Sequence, residues 1–342
     1  MSLSKKESES KVRISTLSDT EIYPSYTNYL DKHSSASFFH TVSYYNSLVK
    51  TPGIRAISIV VSDAKGVVKA AAIGELTNEI RWLPFISRRL IFYAPPIFDS
   101  VEYLRIVLEQ INRSEKGLFT QIRTFIGFSE KEIEIYKEFG YKLADHLNAF
   151  ILLKEKSEKT ILADFKNDKR KGIRKAVDKY KLSIKEFDDV NLAVNTFYHI
   201  QKKLYDRKRH SLKTCRYFFN LVNESNGRVR IAFALYENEP IATQMYISYR
   251  TSITALYTAT LKNHLDKHAG DLLVWYMVQK GLKEGLDVFD FGGGGHPSKS
   301  YSPRVYKERF GTIFNNVGRL TKGNSCLYKL TMLIYSKILT KN

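Results

Sequence analysis

Residues 44–73, YYNSLVKTPGIRAISIVVSDAKGVVKAAAI, and residues 218–247, FFNLVNESNGRVRIAFALYENEPIATQMYI, read as two copies of one unit. Aligned without a gap at an offset of 174, Asn46 falls on Asn220, Gly53 on Gly227, Ile57 on Ile231 and Asp63 on Glu237. Each copy ends an amphipathic helix, crosses a loop and enters a β-hairpin. The hairpin turns, SDAKG and YENEP, carry turn-forming residues. A second echo joins IYKEFGYKLADHLNAFILL, from Ile135, to VYKERFGTIFNNVGRL, from Val305. Both hold an aromatic-Lys-Glu turn, then Phe-Gly with the glycine placed as a helix C-cap, then an extended stretch. Each half therefore reads helix, hairpin, strand, helix, strand, helix, strand. Matching order at matching spacing predicts a duplicated α/β domain.

Between the halves lies KEKSEKTILADFKNDKRKGIRKAVDKYKLSIKEF. Phe165, Lys169, Ile173 and Val177 share one helical face, leaving Lys166, Arg170, Arg174 and Lys181 on an outward basic face. After the second hairpin, SITALYTAT reads as a strand and LKNHLDKHAG as a loop. DLLVWYMVQKGLKEG then reads as a helix with Leu272, Leu273, Tyr276, Met277 and Leu282 on its apolar face, and LDVFDFGG as a returning strand. A right-handed crossover of this kind puts the loop and helix N-terminus at a strand-end crevice, where an anionic ligand is favoured. The four glycines Gly292–Gly295 behind Asp290 and Phe291 mark a sharp turn or a close approach to the backbone.

A net charge of +19 suits a polyanionic partner such as nucleic acid, a nucleotide, a pyrophosphate lipid or a membrane face. Surface lysines that only keep the protein in solution are the plainer meaning of such charge. Only Cys215 and Cys326 occur, which excludes a disulfide framework or cysteine metal site and fits a reducing compartment. No secretory signal opens the chain and no window holds about 18 apolar residues, so a cytoplasmic location is expected. P-loop, dinucleotide, zinc-helix and nucleophile-elbow patterns are absent. His264 and His268 stand four apart in a loop, and no metal is expected there.

The run FDFGGGGHP, YSPRVYKERFG and VGR, from Phe289 to Arg319, resembles the closing signature of the Fem family, the aminoacyltransferases that build peptidoglycan cross-bridges. FKNDKRKGIRKA resembles the family's basic helix, and FYHIQKKLYDRKRHSLKTCRYFFNLV its arginine-bearing stretch. The likeness is strongest over residues 160–320. It implies an α/β (α+β) fold of two tandem GNAT-like domains, each a mixed, mostly antiparallel sheet flanked by helices. The expected boundaries are 1–155, 156–323 opened by the basic helix, and a C-terminal amphipathic helix at 324–342.

The resemblance also implies transfer of an aminoacyl or acyl group to an amine of a cell-envelope precursor. Lys307 matches the family's active lysine and Tyr306 precedes it; Arg207 matches an arginine that contacts a nucleotide-linked acceptor, and Tyr257 a strand tyrosine. Thr258 stands where the family has glycine, and Pro303 departs from the flexible residues before the lysine. Lys307 is the expected oxyanion or phosphate ligand, and Asp290 the proton acceptor. Gly292, Gly293, Tyr257, Tyr306, Arg207 and Arg304 are the expected substrate contacts. Against this stands a plainer reading: Lys137 has the same Tyr-Lys-Glu context, so Lys307 is then a surface lysine inherited by both copies. No permanently bound cofactor is expected. The donor is aminoacyl-tRNA or acyl-CoA, and the acceptor is nucleotide- or lipid-linked, with peripheral contact at the inner membrane face and no DNA. Alternatives are an acyl-CoA-dependent N-acyltransferase acting on an amino sugar or glycan, and a non-catalytic RNA- or membrane-binding protein.

Overall fold

The computed structural model describes residues 12–78, 87–115, 117–324 and 327–328. The first half runs β1 (Arg13–Ser15), α1 (Tyr23–Lys32), α2 (Val42–Val49), β2 (Ile54–Ser62), β3 (Val68–Asn78), β4 (Arg88–Phe92) and β5 (Ile97–Phe98). It continues through α3 (Val101–Arg113), β6 (Phe119–Ile122), α4 (Glu130–Glu138), β7 (Lys142–Ala144) and β8 (Leu147–Leu152). The second half opens with α5 (Glu158–Asp164), α6 (Asn167–Arg174), β9 (Ser183–Glu186), α7 (Val190–Lys208) and α8 (Cys215–Asn223). Then follow β10 (Val229–Tyr236), β11 (Glu239–Tyr249), β12 (Ser252–Thr260), α9 (Ala269–Lys283), β13 (Val288–Gly295), α10 (Ser302–Glu308), β14 (Ile313–Asn316) and β15 (Arg319–Gly323).

Local chemistry explains many of these elements. Leu104, Val107, Leu108 and Ile111 recur at helical spacing and bury one face of α3. Ser129 and Glu132 close a capping box on α4, and Asp189 caps α7. Glu237 and Asn238 both adopt positive φ in the two-residue turn between β10 and β11, the geometry that matches the strands' twist.

The strands form two sheets of the same plan. One is ordered β1-β2-β3-β4-β6-β15-β7, with β5 pairing β3 off the path; the other, read from its corresponding edge, is β9-β10-β11-β12-β13-β8-β14. In both, the fourth and fifth strands are parallel and every other pair is antiparallel. The architecture is a tandem pair of mixed, mostly antiparallel sheets with helices against them. Gly53 and Gly227 hold the same left-handed φ, +81° and +76°, at the same place in the repeat. The copies meet where α2 packs on α8. Lys50 Nζ lies 2.8 Å from Glu224 Oε1, a contact between positions related by the repeat offset. Asn220 Nδ2 donates to Lys50 O at 2.8 Å and Thr51 Oγ1 at 3.0 Å. Contacts between matching positions arise close to an approximate two-fold axis, so the duplication is spatial as well as sequential.

One strand in each sheet comes from the other half of the chain. β8 lies between β13 and β14, and β15 lies between β6 and β7. A cut after residue 155 therefore leaves β8 and β15 on the opposite side from the sheets that they complete. A buried cluster shared by both halves, including Tyr44, Leu48, Val60, Phe197, Phe218 and Met245, fills the junction. Separate clusters lie on the outer side of each sheet.

The connecting segment departs from its expected form. It is two short helices broken at Phe165, not one, and α6 runs into a π-helical turn over Lys175–Lys179. Phe165, Lys169 and Ile173 are buried as expected, but Val177 is exposed and Ala176 is buried in its place. Spacing of 3.6 residues per turn, counted from Phe165, reaches Ala176 rather than Val177. Arg170 is half-buried and donates to the carbonyls of Ala163 and Phe165, so it closes the break rather than extending a basic face. The expected helix at 324–342 lies outside the described residues apart from its first few positions.

Candidate active site

The parallel pair in the second sheet is short. Ser252, Ile253 and Thr254 pair with Val288, Phe289 and Asp290; β12 then runs on to Thr260 and β13 to Gly295 without further pairing to each other. A register shift in β12 opposite Met245 and Tyr246 bends the strand at the same level. In the first sheet the parallel pairing of β4 with β6 ends at Phe92 and Ile122. Residues just beyond both endings line one cavity of about 270 Å³ between the halves, among them Tyr93, Arg123, Tyr257, Gly292 and Gly293. The exchanged strands add Asn148 and Arg319, and His146 borders β8. Phe39 stacks on Tyr93 and Phe125 at one wall, with centroids 5.3 and 6.0 Å apart.

The glycine run follows from this packing. Gly292 has φ +73°, which a side chain disfavours, and β13 shifts register against β8 on both sides of the Gly292–Gly293 pair. A Cβ on Gly293 would sit 2.7 Å from His146 Nε2. Lys307, on α10, folds beneath this strand: its ammonium donates to Phe291 O at 2.8 Å, Gly292 O at 3.2 Å and Gly293 O at 2.9 Å. Its three protons match three carbonyls. Burial lowers the lysine to about 8, opposed by Asp290. Asp290 is buried; its Oδ2 accepts from Asn148 Nδ2 at 2.9 Å and its Oδ1 from Gly292 N at 2.5 Å. Burial raises its carboxyl to about 6, with the Asn148 and Gly292 hydrogen bonds and Lys307 pulling the other way. Lys137, in the matching Tyr-Lys-Glu context of α4, is exposed.

The other expected contacts separate. Tyr257, Gly292 and Gly293 line the cavity. Tyr306 turns away from it and donates to Asp271 Oδ1 at 2.9 Å. Arg304 donates to His296 O at 2.8 Å and Lys299 O at 2.6 Å, holding the loop after the glycines. Arg207 is exposed near the end of α7 and faces a second cavity of about 410 Å³ with Lys203, Lys262 and His264. At the N-terminus of α9, where an anionic ligand was expected, the protein's own Asp271 sits in the first turn. Lys169 reaches it at 2.8 Å while lying 4.2 Å over the Tyr306 ring. Among the described residues no group of His, Cys, Asp and Glu is placed to hold a metal ion.

Sequence reasoning passed over Arg123, His146 and Arg319. Arg319 appears only inside the VGR triplet, and no local signal says that β15 carries it into the first sheet beside β6. Burial and the nearby Arg319, Arg123 and Lys307 lower His146 to about 4, so its imidazole is neutral and its Nε2 can accept from Arg319 Nη2 at 2.9 Å.

A family model described as an acetyltransferase (GNAT) domain matches residues 163–307. These residues are a GNAT acyltransferase domain. The GNAT domain's parallel pair, β12 and β13, is the one whose opening lines the cavity. Across the whole chain the fold is Fem-like. The crystal structure of FemX matches at 14% identity and a TM-score of 0.68, covering 90% of this chain and 98% of that one. A tandem GNAT protein from the clavulanic acid biosynthesis pathway matches at 11% identity and TM-score 0.57, over 91% and 98%. L-PGS from Bacillus licheniformis matches at 14% and 0.56, over 92% and 95%. No curated protein matches this chain. The chain is an acyltransferase that carries this domain in a tandem, GNAT-like fold. Among the described residues no helix is long and apolar enough to cross a membrane.

Proposed function

We propose that this acyltransferase moves an aminoacyl group onto an amine of a cell-envelope precursor, with the cavity between the lobes as the place of reaction. The observation that carries this reading is the convergence of both sheet openings and the glycine strand on one cavity. Acyl transfer needs an amine held against a carbonyl and donors aimed at the oxyanion; positioning and preorganised donors supply most of the rate. Lys307 and Asp290 serve this indirectly in our reading. Lys307 gathers three carbonyls of the strand, and Asp290 fixes its bend through Gly292 N. The backbone that borders the substrate is thereby held in one shape. The net charge of +19 suits aminoacyl-tRNA as donor and a phosphate-linked acceptor, with Arg207 and its basic neighbours outside the reaction cavity as the phosphate contact. A cytoplasmic location, with peripheral contact at the membrane, belongs to the same proposal.

The acetyltransferase description of residues 163–307 favours a second reading, transfer from acyl-CoA. A donor assay separates the two. Labelled amino acid passing from charged tRNA to a lipid- or nucleotide-linked amine supports the first reading; label passing only from acyl-CoA replaces it with the second. In the same assay Lys307→Met is expected to lose about 100-fold in turnover, in the range seen when an oriented donor is removed, while Lys137→Met stays at wild-type rate. Equal rates for the two variants would remove Lys307 from the machinery.

A further inference from the structure

We propose that Arg319 and Arg123 form a carboxylate-binding subsite in the cavity between the lobes, and that the acceptor is an amino acid or peptide held there by its free α-carboxylate. This rests on that cavity being the acceptor's site. Both guanidinium-bearing residues line it. Neither has a carboxylate partner among the described residues. Arg319 Nη2 is bonded to the neutral His146, and its Nε–H is buried without an acceptor. Arg123 Nε donates to Gln121 Oε1 at 2.9 Å, and its guanidinium carbon lies 4.8 Å from the Tyr93 ring centre.

Three other cations of the interior are held by carboxylates. Lys169 is paired with Asp271, Lys213 with Glu75 and Lys280 with Glu186. A buried cation without a counter-ion is costly, and proteins keep one where a ligand supplies the missing charge. Burial and the neighbouring Arg123 and Arg89 lower Arg319 to about 10, with Tyr93 and Tyr301 pulling the other way.

Size and shape choose among anions. About 270 Å³ lies below the usual range for ligand sites of roughly 300–1,000 Å³, so the space suits an amino-acid residue rather than a nucleotide. A guanidinium edge matches the planar pair of carboxylate oxygens. The walls are aromatic, with Phe39, Tyr93, Phe125, Tyr217 and Tyr257 able to cover an apolar side chain or methyl group.

The test is calorimetric titration of the full chain, without any donor, using N-acetylalanine of each hand, the matching N-acetylalaninamide and inorganic phosphate. One carboxylate is expected to bind, with the amide weaker by about 10- to 100-fold, the ratio for losing a charged hydrogen-bonded contact. Arg319→Gln is expected to erase that ratio, and Lys137→Ala to keep it. Arg123→Gln gives the same reading if Arg319→Gln fails to fold. Equal binding of acid and amide, unchanged discrimination in both arginine variants, or no binding of any probe would overturn the subsite. Tighter binding of phosphate than of either carboxylate would overturn the amino-acid assignment. Carboxylate binding by a protein that transfers no acyl group from any donor would leave the subsite standing and defeat the transferase reading instead.

Discussion

Lys307 and Lys137 share a Tyr-Lys-Glu context and have different fates. One is drawn under the glycine strand by three carbonyls, and the other stands in solvent. Burial in the inward position moves Lys307 down to about 8 and Asp290 up to about 6, against the pull of their mutual attraction. Both are ionised only in the window between. If the strand's shape depends on both charges, kcat/KM should be flat from about pH 6 to 8 and fall on either side; a profile that ignores both limits would disconnect the pair from activity. Asp290 also bears on stability. Its folded value lies above its ordinary 3.8, so the native state binds more protons than the unfolded chain between roughly pH 4 and 6. Stability contributed by the neutral acid is full below that window and lost as pH rises through it, by up to about 3 kcal/mol. Asp290→Asn should remove this slope, as read by urea denaturation at pH 4 and pH 6.5.

At the scale of elements, α6, α9 and α10 are tied together by one buried set of contacts: Lys169 to Asp271, Asp271 to Tyr306, and the Lys169 cation against the Tyr306 and Phe310 rings. α10 carries Lys307, so this network sets the height of the lysine beneath the glycine strand. Lys169→Met would leave Asp271 buried without its cation, at a cost of about 3–5 kcal/mol. The double change Lys169→Met with Asp271→Leu should recover most of it, because an apolar pair of similar volume needs no counter-charge. Denaturant midpoints of the single and double variants check this, and equal midpoints would show that the ion pair does not hold the helices. The basic character of the segment was legible in the sequence. Its break at Phe165 and its π turn were not, since both depend on how Phe165 and Ala176 pack in the second lobe.

Across the whole molecule the exchanged strands decide how it folds. A fragment of residues 1–155 lacks β15, which lies between β6 and β7, and exposes β8, whose partners β13 and β14 are in the other half. Unpaired strand edges of this kind favour aggregation. Residues 1–155 expressed alone should be insoluble or unfolded. In the full chain, tryptophan fluorescence and far-UV circular dichroism should report one coincident unfolding transition. Two separated transitions, or a soluble cooperative fragment, would show that the lobes are independent despite the exchange.

The sequence by itself determined the duplication, the order of elements in each copy, the turns and caps, and the bend at the glycine run. These rest on local chemistry: side-chain periodicity, the φ that Gly53 and Gly227 adopt, and the short reach of a capping side chain. Only the tertiary structure decided which sheet β8 and β15 enter, which of two like lysines turns inward, and that Arg123 and Arg319 come side by side at the end of the β6–β15 pair. A strand's hydrogen bonds are satisfied equally well by either sheet. The choice is made by packing between residues far apart in the chain, and no stretch of sequence carries it alone.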